Sequence, residues 1–132
     1  MLFYRCTAKL NRWFDCVHWP WVQAIRSYVQ IHHAEELGSE MGHGTATIAE
    51  IIPDLRDKLT DLETPPALDP EQALFRLLDS ITSFLRNASR NQPLLLVLDD
   101  LHWADRSSLL LQQFLARELA PAQSGPLLVV GC

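Results

Sequence analysis

Apolar residues recur at intervals of three and four along much of the chain, most regularly after residue 69. Asp69 can cap a helix, with Pro70 at its first position and Gln72 three residues after the cap. The apolar stripe that follows, which fits one helix face, consists of Leu74, Leu77, Leu78, Ile81, Phe84, Leu85 and Ala88. The pattern predicts an amphipathic helix that is broken between Asn87 and Pro93.

Two short stretches, Leu94 to Leu98 and Leu127 to Val130, are continuously apolar. Such runs are typical of strands covered on both faces in a parallel sheet. The segment between them predicts a helix from Ser107 to about Ala120, with Asp105 as its candidate cap. Strand, helix and strand in this order form a βαβ unit, which predicts a right-handed crossover and an α/β fold.

The first part of the chain has a looser pattern. Met1 to Cys6 predicts a strand, and the spacing of apolar residues predicts a helix from Trp21 to Leu37 that is stopped by Gly38. The glycine-containing stretch from Gly38 to Gly44 predicts a mobile loop.

Two short helices are predicted next, with Pro53 between them. The first runs from Thr45 to Ile52 and the second from Asp54 to Leu59. The proline-rich stretch from Asp61 to Pro70 predicts a polar connector.

Composition narrows the possible functions. The chain has 132 residues, 48% of them hydrophobic, which fits one globular domain. Eleven Lys and Arg against 16 Asp and Glu give a net charge of −5, so the basic character of a direct nucleic-acid binder is missing. No apolar run approaches the roughly 20 residues of a membrane helix. The chain has three cysteines, Cys6, Cys16 and Cys132, which form no CxxC pair, and it has no signal segment. Both observations favour a reducing cytoplasmic setting.

Two adjacent acids, Asp99 and Asp100, end the first apolar run. In open α/β sheets ligands gather at the carboxyl ends of the strands, and paired carboxylates there suit a hydrated divalent cation and an activated water. This is the Walker B arrangement of P-loop ATPases. In it Asp99 would hold Mg²⁺, while Asp100 would orient or deprotonate the water that attacks a γ-phosphate. The alternative is that the two acids merely end a strand and face solvent.

The stretch PLLLVLDDLHWADRS, from Pro93 to Ser107, resembles the Walker B segment of the STAND proteins, the signal-transduction ATPases with numerous domains. Further similar segments are residues 19–28, 69–72, 75–80, 114–119 and 127–131. The resemblance implies an AAA-like P-loop ATPase module that uses ATP and Mg²⁺. Such modules belong to long cytoplasmic bacterial regulators, whose outputs include LuxR-type helix-turn-helix and adenylate cyclase domains.

By position, the resemblance assigns the role of Mg²⁺ ligand to Asp99 and the role of catalytic acid to Asp100. His102, Trp103 and Asp105 match the signature that follows Walker B in this family, without individual roles. The implied partners are the nucleotide and the other domains of the parent regulator, with no direct nucleic acid and no membrane.

The sequence departs from this family at its phosphate loop. GxxxxGK is absent, and neither lysine, Lys9 or Lys58, follows a glycine. We therefore expect residues 1–132 to be a single partial AAA-like domain, without its Walker A region and C-terminal part, that is inactive alone. The alternative function is a non-catalytic interaction module that binds partners through uncovered apolar surface.

Three weaker candidates have structural interpretations. The cluster of Trp13, Trp19 and Trp21 predicts a hydrophobic anchor for the first helix. His32 and Glu36 lie one helical turn apart, but nothing supplies the three or four ligands of a zinc site, so a solvated helix surface is favoured. The glycines between Gly38 and Gly44 lack both a preceding strand and a following lysine, so they do not predict a phosphate loop.

Overall fold

The computed structural model describes residues 2–7, 19–99, 106–119 and 125–131, with residues 2–7, 19, 20 and 99 described as backbone only. The elements in chain order are β1 (Leu2–Thr7), α1 (Trp19–Ile31), α2 (Ala34–Met41), a 3₁₀ turn (Gly42–Gly44), α3 (Thr45–Ile51), α4 (Asp54–Lys58), α5 (Pro70–Asn91), β2 (Leu94–Asp99), α6 (Arg106–Leu119) and β3 (Leu127–Gly131).

The described strands form a parallel sheet in the order β1-β2-β3, so β2 lies in the centre. In the register, Leu2 of β1 is opposite Leu94 and Leu94 is opposite Leu127 of β3. Helices connect each strand to the next, which confirms the α/β class. None of the described helices is long and apolar enough to cross a membrane.

The central strand β2 is fully buried on one face and not on the other. Leu94, Leu96 and Leu98 lie in the core, whereas the alternate residues of β2 are half-buried. On β3, Leu128 is 57% exposed and Val130 is 37% exposed. The expectation that the apolar strands are covered on both faces is therefore wrong for the described part of the chain, because its helices bury one face and leave the other partly open.

The prediction of one helix over residues 21–37 is also wrong, because the chain breaks into α1 and α2 at His32 and His33. His33 is extended, with φ −78° and ψ 157°. The ammonium group of Lys58 donates to the carbonyl oxygens of Val29 at 2.5 Å, Gln30 at 3.2 Å and His32 at 2.8 Å. A cation at the C-terminal end of α1 satisfies carbonyls that the helix cannot pair.

The glycine-rich stretch is regular structure and not the predicted loop. Gly38 lies inside α2, and residues 42–44 form the 3₁₀ turn. Gly42 adopts φ +52°, which favours glycine. A Cβ on Gly44 would lie 2.9 Å from Cβ of Ser80 on α5, so the turn can approach α5 closely only with glycine there.

The remaining helices match their predictions closely. The Asp69 side chain accepts a hydrogen bond from the backbone N–H of Gln72 at 2.9 Å, with Pro70 in the first turn of α5. The helix continues to Asn91, a little beyond the predicted break. Its predicted stripe faces the core, with these members buried: Leu78, Ile81, Phe84, Leu85 and Ala88. No regular element occupies residues 59–69, as the connector prediction requires.

A buried carboxylate joins three helices. Glu40 of α2 is 4% exposed. One carboxylate oxygen accepts from the Tyr28 hydroxyl of α1 at 2.6 Å, and the other accepts from the Asn91 side chain of α5 at 2.9 Å. The backbone carbonyl of Glu40 also accepts from the Asn87 side chain at 2.9 Å. These bonds compensate the desolvation of the acid and fix α2 between α1 and α5.

We expect Glu40→Gln to lower the free energy of unfolding by about 1–3 kcal/mol, because the new amide N–H would face a hydrogen-bond donor of Tyr28 or Asn91. Urea denaturation followed by circular dichroism measures the change. Glu36→Gln, an exposed site on the same helix, is the control and should stay within about 0.5 kcal/mol of the original chain. Equal effects of the two substitutions would contradict the role of Glu40.

A second prediction concerns the ion pair between Arg26 of α1 and Asp54 of α4, whose atoms Nε and Oδ2 are 2.6 Å apart. The hydrogen bond from Arg26 lowers the pKa of Asp54 below its ordinary value of 3.8. The stabilisation is therefore complete above the pKa of the unfolded chain and disappears as pH falls through the lower folded pKa.

We expect Arg26→Gln to reduce stability at about pH 7, and the difference from the original chain to shrink as the pH is lowered to about 3. The effect should be small, since both side chains are more than a third exposed. Urea midpoints at each pH measure it. A difference that does not change with pH would show that Arg26 acts through packing and not through the charge of Asp54.

Candidate functional site

The carboxyl ends of the strands meet at one edge of the sheet, which we call the carboxyl edge. Asp99 is the last residue of the central strand β2, and its Cα is paired with that of Thr7, the last residue of β1. Leu98 is paired with Gly131 at the end of β3. The structure therefore brings the predicted Mg²⁺ residue to the end of the middle strand, where ligands gather in parallel sheets.

The other predicted site residues lie outside the described part of the chain. These are Asp100, His102, Trp103 and Asp105, and the roles assigned to them stay predictions. The side chain of Asp99 is also not described.

The two helices that follow the strands are held together at their first turns. Trp21 of α1 is fully buried, and its indole N–H donates to the carbonyl of Ser108, the third residue of α6, at 3.1 Å. Because β1 and β2 are parallel, α1 and α6 each follow a strand that ends at the same edge of the sheet. The Trp21–Ser108 bond therefore ties together the first turns of the two helices.

The prediction of a tryptophan anchor is confirmed for Trp21. Trp13 is outside the described residues, and Trp19 is described as backbone only. The acceptor is a backbone carbonyl 87 residues away, which no side-chain pattern in the sequence could have identified.

The body of α6 is anchored to the core by Leu111 and Leu115, both buried. Phe114 also meets Phe75 of α5 edge to face, with ring centroids 5.7 Å apart. Helix α6 begins at Arg106, one residue before its predicted start. Helix α6 is thus held by α1 at its first turn and by α5 at Phe114.

The chemistry of the candidate donors fits magnesium. Mg²⁺ in nucleotide sites is held by one or two carboxylates together with water and phosphate oxygens. Asp99 and Asp100 supply hard oxygen ligands in that number at a strand end. Across the described ranges, no group of three or more His, Cys, Asp and Glu side chains could form a closed metal site.

The described residues do not include the lysine and glycine-rich loop that contact nucleotide phosphates in P-loop proteins. The sequence lacks GxxxxGK, and Lys58 is bound to the end of α1, while Lys9 is outside the described residues. No described lysine is therefore available to contact a nucleotide phosphate.

The side chain of His32 makes more contacts with the protein than expected for a residue on a solvated helix surface. Its ring stacks on Tyr28 with centroids 3.8 Å apart. Its Nδ1 donates to the Tyr28 carbonyl at 2.9 Å, and its Nε2 accepts from the Gln92 side chain at 3.0 Å. The expectation of a solvated surface is thus wrong for His32, because the chain turns there and carries the ring onto Tyr28.

We expect Trp21→Phe to destabilise the chain by about 1–3 kcal/mol, because it removes a buried donor and part of a buried ring. Amide hydrogen exchange should also accelerate in the first turn of α6. Leu109→Ala, an exposed change beside Ser108, is the control and should have little effect on either measurement. Unchanged exchange in α6 of Trp21→Phe would contradict the anchoring role.

Comparison with known protein families matches residues 5–130 to the family described as the AAA ATPase domain. No curated protein and no solved structure matches the chain. The family match covers nearly the whole sequence and agrees with the parallel sheet and with the acidic end of its central strand. The chain therefore belongs to the AAA ATPase domain family.

Proposed function

We propose that this chain is the Walker B part of an ATP-dependent signalling regulator of the STAND class, working in the cytoplasm. The observation that carries the proposal is the position of Asp99 at the end of the central strand of a parallel sheet. The AAA ATPase domain match over residues 5–130 supports the ATPase part of the proposal. The STAND class rests on the segment from Pro93 to Ser107.

In this proposal the two acids have separate roles. Asp99 holds a divalent cation directly or through water, and Asp100 orients the attacking water and accepts its proton on a carboxylate oxygen. The cation, when bound, neutralises charge that develops on the phosphate oxygens. The Trp21–Ser108 bond holds the first turn of α6, the helix that follows Asp100 in the sequence, against α1.

Nucleotide hydrolysis also requires a phosphate loop, since backbone N–H groups and a lysine make the main phosphate contacts in P-loop proteins. We propose that residues outside this sequence supply that loop. The chain by itself should then bind a divalent cation weakly and hydrolyse ATP at a negligible rate.

The metal site can be tested directly with Mn²⁺, whose binding to the chain is measured by water-proton relaxation. We expect Asp99→Asn to weaken Mn²⁺ binding at least about tenfold, because a charged ligand is lost. Asp57→Asn, an exposed acid on α4, makes the same charge change elsewhere and should leave the affinity unaltered. Equal affinities for the Asp99 and Asp57 variants would contradict the assignment of Asp99.

Phosphate release from ATP and Mg²⁺ on the same samples tests the second part of the proposal. The original chain should be indistinguishable from a protein-free blank. Robust turnover that is abolished by Asp100→Asn would overturn the requirement for a separate phosphate loop, while it would support the role of Asp100.

The exposure of Leu128 and Val130 on β3 bears on the alternative function, a non-catalytic interaction module. Two exposed side chains on one strand identify no partner. The family match favours the ATPase, so we retain it as the proposed function.

A further inference from the structure

A polar groove lies between the 3₁₀ turn and α5, built from residues other than those of the sheet and its carboxyl edge. Its volume is about 380 Å³, within the range of small-molecule sites. Besides Met41 and the two glycines of the turn, it is lined by His43, Arg76, Asp79, Ser80, Ser83 and Asn87.

Several of the polar groups in this groove have no partner within the described part of the chain. Arg76 is half-buried, yet it forms neither an ion pair nor a hydrogen bond with any residue described. Ser80 is 7% exposed, and neither its hydroxyl nor that of Ser83 is hydrogen-bonded to described residues. By contrast, Ser27 and Ser89 donate to carbonyls of their own helices. Arg76, Ser80 and Ser83 therefore present donors to the groove that no described residue engages.

The groove wall is held in a fixed shape by close packing. Gly44 contacts Ser80 so tightly that a Cβ would lie 3.1 Å from the Ser80 Oγ. The turn itself is shaped by Gly42 at φ +52°. The side of the groove formed by residues 42–44 therefore cannot be rebuilt with larger residues without moving the turn away from α5.

The chemistry of these groups is that of an oxyanion site. The guanidinium of Arg76, the ring of His43 and the hydroxyls of Ser80 and Ser83 can all donate hydrogen bonds. An arginine fork matches the oxygens of a phosphate in a bidentate manner. Asp79 is the one acid that lines the groove; it is exposed and forms no ion pair with Arg76.

We infer that this groove binds the phosphate group of a small molecule through Arg76, with Ser80 and Ser83 completing the contacts. Four donor side chains around one groove suit the several terminal oxygens of a phosphate better than the two oxygens of a carboxylate. The groove is formed by residues 41–44 and α5, not by the strand end that carries Asp99, and needs no divalent cation.

The inference is tested with inorganic phosphate, titrated into the chain without divalent metal at constant ionic strength. Amide shifts in ¹H–¹⁵N spectra report the binding. We expect saturable shifts at residues 42–44 and 80–83, and at least about a tenfold loss of affinity in Arg76→Gln. Arg56→Gln, an exposed site on α4 with the same change of charge, should bind like the original chain.

Each other outcome overturns the inference. Shifts that do not saturate, or that are equal in the Arg76 and Arg56 variants, would show a general salt effect. Equal binding of acetate would remove the phosphate assignment. If circular dichroism shows that Arg76→Gln does not fold, Ser83→Ala takes its place, and undiminished phosphate binding by that folded variant would overturn the site.

Discussion

The hydrogen bond between the Trp21 indole and the Ser108 carbonyl is the contact that joins the helices following β1 and β2. Parallel strands send their connecting segments out at one edge, and the following helices must return along the sheet. Trp21 and Ser108 are fully buried, so neither has water as a substitute partner. One bond therefore relates the helix after β1 to the helix after β2.

The packing of helices α1, α2, α4 and α5 depends on two side chains of opposite charge. Glu40 brings a buried negative charge to donors from α1 and α5, while Lys58 brings a positive charge to the carbonyl end of α1. The helices α3 and α4 have seven and five residues, too short to be stable by themselves. They persist because long-range contacts such as Lys58 to Val29 hold the elements around them.

The sequence pattern predicted elements that depend on local signals. Helix α5 has its cap and apolar stripe in one continuous stretch, and the acidic end of β2 follows directly from the order of residues. The predictions from sequence pattern failed where a residue distant in the sequence determines the local structure. The break after Ile31 is stabilised by Lys58, and Gly44 is set by its contact with Ser80. Whether the second face of the sheet is covered also depends on where the helices pack. A run of apolar residues carries no information about that.

The carboxyl edge and the polar groove have opposite electrostatic requirements. Two adjacent carboxylates at the end of β2 repel the phosphates of a nucleotide unless a cation stands between them. The groove presents Arg76 and hydroxyl donors, so an anion can approach its donors directly. In a chain with net charge −5, such a local cluster of donors is needed for anion binding, since the overall field opposes it. Dependence on a divalent cation therefore separates the two proposals: phosphate binding at the carboxyl edge would require the metal, and phosphate binding in the groove would not.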